Sequence, residues 1–275
     1  MLPNYFKSEL GLKNLSNFLL ISGPCVVESK SIVFKTCEKL KTITDKHKIP
    51  FIFKASYKKA NRTSGKSFKG IDFDKAISIL ESVRYEFNVP VLTDVHSALE
   101  AELLGDIVDV IQIPAFLCRQ TDILEAAGNT NKIVNIKKGQ FLAPQDMIYQ
   151  AKKVEATGNK RIMLTERGSS FGYQNLVVDF RSFPIMKKFG YPVIFDATHS
   201  VQMPSKENGV SGGNPEFIEP LSKAACAIGV DGFFFETHPN PAKALSDGSN
   251  MIKLDKIEIL LKKLIRIFSI SNSLK

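Results

Sequence analysis

Residues 89–115 read Val89-Pro90-Val91-Leu92-Thr93-Asp94-Val95, then His96-Ser97-Ala98-Leu99-Glu100-Ala101-Glu102-Leu103-Leu104, then, after a short break, Val108-Asp109-Val110-Ile111-Gln112-Ile113-Pro114-Ala115. A short apolar run, a stretch of helix length and a second apolar run predict strand, helix, strand. The runs are continuous rather than alternating, as again in Phe51-Ile52-Phe53, Val193-Ile194-Phe195 and Phe233-Phe234-Phe235. Such runs mark parallel strands covered on both faces.

The unit repeats along the chain. Strands are expected at 18–25, 50–56, 89–95, 108–115, 132–138, 161–167, 192–199 and 232–238, with helices near 30–47, 73–87, 97–104, 119–128, 144–157, 178–189, 214–228 and 255–268. Eight strand–helix units predict an α/β chain folded as a single (β/α)8 TIM barrel, and 275 residues suffice for one. A doubly wound open sheet is the alternative. It would want fewer repeats and a glycine-rich first turn, which Gly23-Pro24-Cys25 does not supply. Residues 1–275 therefore read as one catalytic domain, with 1–16 an N-terminal extension forming a short plug or hairpin under the barrel and 269–275 a polar tail expected to fray. Long connections at 57–71, 200–213 and 239–252 each follow a strand, which places them at the C-terminal mouth.

Composition narrows the function. Apolar residues at 44% and charged residues at 24% exclude a disordered chain. No apolar run approaches a membrane span, and Glu9 and Lys13 break any secretion-signal layout, so a soluble, cytoplasmic protein is expected. The net charge of +9 is carried mostly by lysines spread over expected outer helices, with seven arginines. That distribution argues against nucleic acid and for small anionic substrates. Cys25, Cys37, Cys118 and Cys226 have no CxxC spacing and read as reduced thiols.

The strand ends carry the chemistry: Cys25, Lys54 with Ser56, Asp94 with His96, Gln112, Lys137 with Lys138, Arg167, His199, and Glu236 with His238. Lys54, Lys59, Arg62, Lys137 and Arg167 form a cationic set suited to a substrate with several negative charges. Lys59 and Lys138 also read as solvated mouth residues. Cys25, His199, Glu236 and Asp247 come from the first, seventh and eighth strands and the last loop. In a closed barrel those mouths are adjacent, and mixed S/N/O ligation suits one divalent ion such as Zn, Fe or Mn. Their spacing is not itself a metal motif, and Cys25 also reads as a small buried residue. Asp94 reads as a hydroxyl acceptor or a base, His96 and His238 as satisfied mouth histidines, and His47 as surface. Gly209, Gly212 and Gly213 around Ser211 mark a flexible loop.

Several runs resemble the 3-deoxy-D-manno-octulosonate 8-phosphate synthase family: Phe53-Lys54-Ala55-Ser56, Lys59-Ala60-Asn61-Arg62-Thr63-Ser64, Thr93-Asp94-Val95-His96, Arg119-Gln120-Thr121-Asp122, Phe171-Gly172-Tyr173, Phe195-Asp196-Ala197-Thr198-His199 and Glu236-Thr237-His238-Pro239. The resemblance implies a barrel, usually a homotetramer, that condenses phosphoenolpyruvate with arabinose 5-phosphate and releases phosphate, for lipopolysaccharide biosynthesis. It implies that Lys54, Lys59, Lys137 and Arg167, with Ser56 and Gln112, hold phosphoenolpyruvate. Asn61, Arg62 and Ser64 then hold the phosphosugar, with Asp94 on its hydroxyls. Family members without metal carry Asn at the position of Cys25, so Cys implies the metal-dependent class, with His199, Glu236 and Asp247 completing the ligands. Lys137, Asp94, Cys25 and His199 are the implied catalytic set, Lys137 as a candidate proton donor. The family commonly has a basic residue after Ser-Gly-Gly in the loop that follows the seventh strand, where this chain has Asn214-Pro215. The rivals are the sister synthase that uses erythrose 4-phosphate, whose loop typically reads Lys-Pro-Arg-Thr-Ser, a metal-dependent barrel hydrolase, and a non-catalytic phospho-ligand binder.

Overall fold

The computed structural model describes residues 2–60, 68–172, 175–207 and 210–274. Eight parallel strands form the wall: β1 (Leu19–Gly23), β2 (Phe51–Lys54), β3 (Val91–Asp94), β4 (Val110–Ile113), β5 (Ile133–Lys137), β6 (Ile162–Glu166), β7 (Val193–Asp196) and β8 (Gly232–His238). Each pairs with the next, and β8 returns to β1 in a register running from Leu19↔Gly232 to Gly23↔Glu236. The barrel is closed, as expected. A Cβ at Gly23 would fall on the Lys54 carbonyl, so β1 lies flush against β2 near the mouth only because this residue has no side chain.

Each strand is followed by a helix: α1 (Lys30–His47), α2 (Phe73–Phe87), α3 (Ala98–Gly105), α4 (Thr121–Asn129), α5 (Met147–Glu155), α6 (Ser182–Lys187), α7 (Ile218–Ile228) and α8 (Ile257–Ser273). Ser29, Asp72 and Ser97 start α1, α2 and α3 by accepting the free N–H of Ile32, Lys75 and Glu100. Lys48 and Asn88 turn the chain out of α1 and α2 in the left-handed region, at φ 54° and 49°. The expected helices at 144–157, 178–189 and 214–228 are shortened. Pro144–Asp146 and Pro215–Phe217 form 3-10 turns ahead of α5 and α7. The tail differs from expectation: α8 runs to Ser273, where Ser271 Oγ donates to Ala227 O at 3.0 Å and Ser273 Oγ to Ile270 O at 2.8 Å.

The pleat sorts each strand into two layers. In β8, Phe233 and Phe235 face the helices, while Phe234 faces the barrel axis. Leu19, Ile21, Ile52, Leu92, Val110, Ile133, Met163, Ile194 and Phe234 form an apolar barrel floor. Leu2, Phe6 and Leu12 of the extension close it from below, and Tyr5 Oη donates to Ile162 O at 3.1 Å. The extension thus packs against the bottom of the barrel. Phe6 is fully buried, so Phe6→Ala should lower unfolding free energy by about 3 kcal/mol, read from the urea midpoint.

Candidate active site

In β2 to β8 the position two residues beyond the floor residue carries a polar side chain, because a stride of two returns to the same face. Ile52 is followed by Lys54, Leu92 by Asp94, Val110 by Gln112, Ile133 by Asn135 and then Lys137, Met163 by Thr165 and then Arg167, Ile194 by Asp196, and Phe234 by Glu236. All of these polar residues are buried. Buried polar groups need partners, and here they find one another across strands.

A hydrogen-bonded girdle crosses four strands, β6 to β3, and continues to the segment beyond β2. Thr165 Oγ1 donates to Asn135 Oδ1 at 2.6 Å, Asn135 Nδ2 to Gln112 Oε1 at 2.8 Å, and Gln112 Nε2 to Asp94 Oδ1. Ser56 Oγ donates to Asp94 Oδ2 and accepts from Lys59 Nζ at 3.1 Å. Burial alone would raise the Asp94 pKa; Lys54 and Lys59, then His96 and the Gln112 amide, hold it below the usual range. Asp94 is therefore an acceptor at neutral pH.

Beside the girdle lie two buried ion pairs. Lys54 Nζ donates to Glu236 Oε1 at 2.7 Å and to Cys25 O at 3.0 Å. Lys137 pairs with Asp196, which also takes His199 Nδ1 at 2.8 Å. Burial pulls the Lys137 pKa down and Asp196 opposes that shift. With Nδ1 on Asp196, the His199 ring turns its Nε2 toward Glu236 Oε1, 3.6 Å away. Burial would raise Glu236, but Lys54, His199 and Lys59 bring it down to about 2.

Cys25, Glu236 and Asp247 bring a thiol and two carboxylates together, with ligand atoms within 4.8 Å of one another. Cys25 Sγ lies 2.9 Å from Ser246 Oγ and donates to Asp247 Oδ2 at 3.1 Å. Burial, then Glu236 and Asp247, push the thiol pKa up. One sulfur and two carboxylates at this spacing, with His199 Nε2 outside that trio but 3.6 Å from Glu236 Oε1, fit a first-row divalent ion. Asp196 already fixes the histidine tautomer such an ion needs. Gln202 joins this cluster to the cations: its Oε1 accepts from Arg167 Nη2 at 3.3 Å and its Nε2 donates to Asp247 Oδ1 at 3.1 Å. Arg167 Nη1 is buried without a hydrogen-bond partner among the described residues.

Lys54, Ser56, Lys59, Asp94, Gln112, Lys137, Arg167, His199, Glu236, Asp247 and Cys25 thus gather at one mouth. Asn61, Arg62 and Ser64 lie outside the described residues. Lys138 is not a solvated mouth residue. It faces away from the axis, buried against Glu166 Oε1 at 3.4 Å and Ser169 Oγ at 3.0 Å, because 138 has the opposite parity to 137. His96 is held by Glu100, which takes its backbone N–H at 2.7 Å and Nδ1 at 3.0 Å. His47 is only partly exposed, on Glu258 at 2.9 Å. Asp196, Asn135, Thr165 and Gln202 are the residues that sequence reasoning missed. The first three share the stride-of-two position of Lys54 and Glu236, which was the available signal. Gln202 opens a short antiparallel strand, Gln202–Glu207, beyond β7 and carried none.

The sequence model of the DAHP synthetase I family matches residues 13–271. The chain belongs to that family. Within the DAHP synthetase I family it is similar to curated proteins named 2-dehydro-3-deoxyphosphooctonate aldolase. That of Koribacter versatilis is 57% identical over 251 residues, 90% of each chain. Those of Geotalea uraniireducens and Acidithiobacillus ferrooxidans are 56% identical over 246 residues, covering 90% of each chain, and 54% identical over 254 residues, covering 92% of this chain and 90% of the relative. Among the described residues no helix is long and apolar enough to cross a membrane.

Two outcomes follow from the site's electrostatics. Asp196→Asn leaves Lys137 buried without its counter-charge and should cost about 3 kcal/mol in urea unfolding, part of which Lys137→Met in the same chain restores. Glu100 is held at about 2 against its ordinary 4.5 by Lys58, Tyr57 and His96, which outweigh its burial. Its contribution is present above pH 4.5 and lost as pH falls toward 2, so stability should decline across that window. Glu100→Gln should flatten part of that decline in a pH series of unfolding midpoints.

Proposed function

We propose that this chain condenses phosphoenolpyruvate with D-arabinose 5-phosphate and water to give 3-deoxy-D-manno-octulosonate 8-phosphate and phosphate. One observation above all carries the reading. Relatives more than half identical over about nine-tenths of the chain bear the name of that enzyme, and the barrel mouth offers the cations that two polyanionic substrates require. The same name favours arabinose 5-phosphate over erythrose 4-phosphate, and catalysis over mere binding.

The residues divide the work by charge. Lys54, Lys59, Lys137 and Arg167 hold the phosphate and carboxylate of phosphoenolpyruvate, with Ser56 and Gln112 beside them. The partnerless Nη1 of Arg167 supports an anion there. Asn61, Arg62 and Ser64 hold the sugar phosphate, and Asp94, kept ionised, accepts from sugar hydroxyls. Alignment lets the vinyl carbon attack the aldehyde; water adds at C2, and the tetrahedral intermediate expels phosphate. Lys137, with its lowered pKa and its contact to His199, is placed to donate a proton. Cys25, His199, Glu236 and Asp247 would hold one divalent ion (Zn, Fe or Mn), which when bound supplies a positive charge that polarises a substrate oxygen or lowers the pKa of water. Because burial keeps the Cys25 thiol protonated, metal uptake releases a proton and tightens as pH rises.

We further place the enzyme in the cytoplasm, in lipopolysaccharide biosynthesis, as a homotetramer. The exposed rings of Phe116, Phe141, Phe171 and Phe217 support association between copies.

The assay mixes protein with phosphoenolpyruvate and arabinose 5-phosphate and follows loss of the enol absorbance, with erythrose 4-phosphate in parallel. Turnover with arabinose 5-phosphate alone, stopped by a chelator and restored by divalent metal, is the expected result. Turnover that survives exhaustive chelation overturns the metal reading, and no turnover with either sugar overturns the enzyme. Arg167→Ala should raise the KM for phosphoenolpyruvate at least about tenfold, a loss of the size expected for a charged hydrogen-bonding group.

A further inference from the structure

The connection 239–252 must bring Asp247 against Cys25, although its own regular structure is limited to the 3-10 turns Pro241–Lys243 and Gly248–Asn250 and to the pairing of Ile252 with Thr237 at its end. Asp247 also sits at φ 48°, a left-handed conformation that a non-glycine residue keeps only when its surroundings impose it. One carboxylate reaches into this loop from the β1 side. Glu28, three residues beyond Cys25, accepts the Leu245 N–H through Oε1 at 2.9 Å, two residues ahead of Asp247. Its other oxygen, Oε2, lies 3.6 Å from His238 Nε2.

His238 closes β8 two residues after Glu236. Its Nδ1 accepts from Asn240 N–H at 3.0 Å, so the proton of the neutral ring is on Nε2, the atom turned toward Glu28. That Nε2 is buried and has no hydrogen-bond partner among the described residues. The two side chains are 3% and 8% exposed, and substrate chemistry claims neither. Glu28 thus stands between two chain segments: it faces the end of β8, next to one proposed ligand, and holds the backbone just ahead of another.

We propose that Glu28 and His238 are positioning residues of the metal site: His238 orients the Glu28 carboxylate, and Glu28 holds loop 239–252 so that Asp247 meets Cys25. This rests on reading Cys25, His199, Glu236 and Asp247 as the holders of a divalent ion. Residues that orient ligands from behind in this way are worth about 10–100-fold in metal affinity.

The test titrates the metal-stripped full-length protein with Co2+, following the thiolate-to-cobalt absorption band, and reads urea unfolding of the metal-free proteins in parallel. Glu28→Ala should weaken cobalt binding about tenfold or more and reduce the band. Glu28→Gln, which keeps an acceptor for the Leu245 N–H, should fall between Ala and the unaltered protein, and His238→Asn should also weaken binding. Cobalt affinity and band unchanged in Glu28→Ala, with only the unfolding midpoint shifted, would make Glu28 a loop fastener and overturn the inference. If Glu28→Ala does not fold, Glu28→Gln and His238→Asn decide: weakened binding supports the inference, and unchanged binding in both overturns it. An unaltered protein that takes up no cobalt overturns the metal reading and this inference together, an outcome read before any variant is made.

Discussion

The Lys54–Glu236 ion pair joins β2 to β8 across the barrel mouth, and the rest of the site is arranged around the need to neutralise such charges away from water. Lys54 also holds the Cys25 carbonyl, so one ammonium group fixes the places of a proposed thiolate ligand and a proposed carboxylate ligand. A buried pair of this kind adds little net stability, because desolvation offsets the attraction, but losing one partner is severe. It is a device for placing groups. The Lys137–Asp196–His199 cluster repeats the arrangement between β5 and β7, and the girdle from Thr165 to the ionised Asp94 runs from β6 to β3.

The apolar floor makes this possible. Phe234 lies under both lysines, with Lys137 Nζ 4.3 Å and Lys54 Nζ 5.4 Å from its ring centre, and the His199 ring packs beside it at 5.8 Å. Water is thereby excluded from below, so attraction among the groups above is stronger than at a surface. The N-terminal plug contributes at a distance, since Phe6 and Leu12 complete the floor on which Phe234 rests. Fold stability and site electrostatics are coupled through that layer.

Much of this was legible in the sequence. Eight apolar runs separated by helix-length stretches favoured a closed barrel over an open doubly wound sheet, and most residues ending each run are those that gather at the mouth. What stayed hidden was the face. A run such as Phe233-Phe234-Phe235 is apolar throughout, so it shows no alternation, and only the pleat separates Phe234 below the site from its neighbours under the helices. The same blindness let Lys138 read as a mouth residue and passed over Asp196, which lies within a quoted motif yet was given no role. The 3-10 turns at 144–146 and 215–217 begin at Pro144 and Pro215, whose missing N–H costs nothing at the first position of a helical turn and whose rings keep the residue before out of the helix. Nothing local announces Gln202, whose partners Arg167 and Asp247 come from two other loops.

The central claim is that this mouth forms a carbon–carbon bond between phosphoenolpyruvate and a five-carbon phosphosugar while releasing phosphate. Phosphorus NMR of one mixture tests it most directly. The account predicts that the enol phosphate resonance disappears as inorganic phosphate and a single new sugar-phosphate resonance grow in equal amounts, only when arabinose 5-phosphate is present. Phosphate released without a new sugar phosphate, or the same product signature with erythrose 4-phosphate and none with arabinose 5-phosphate, would contradict it.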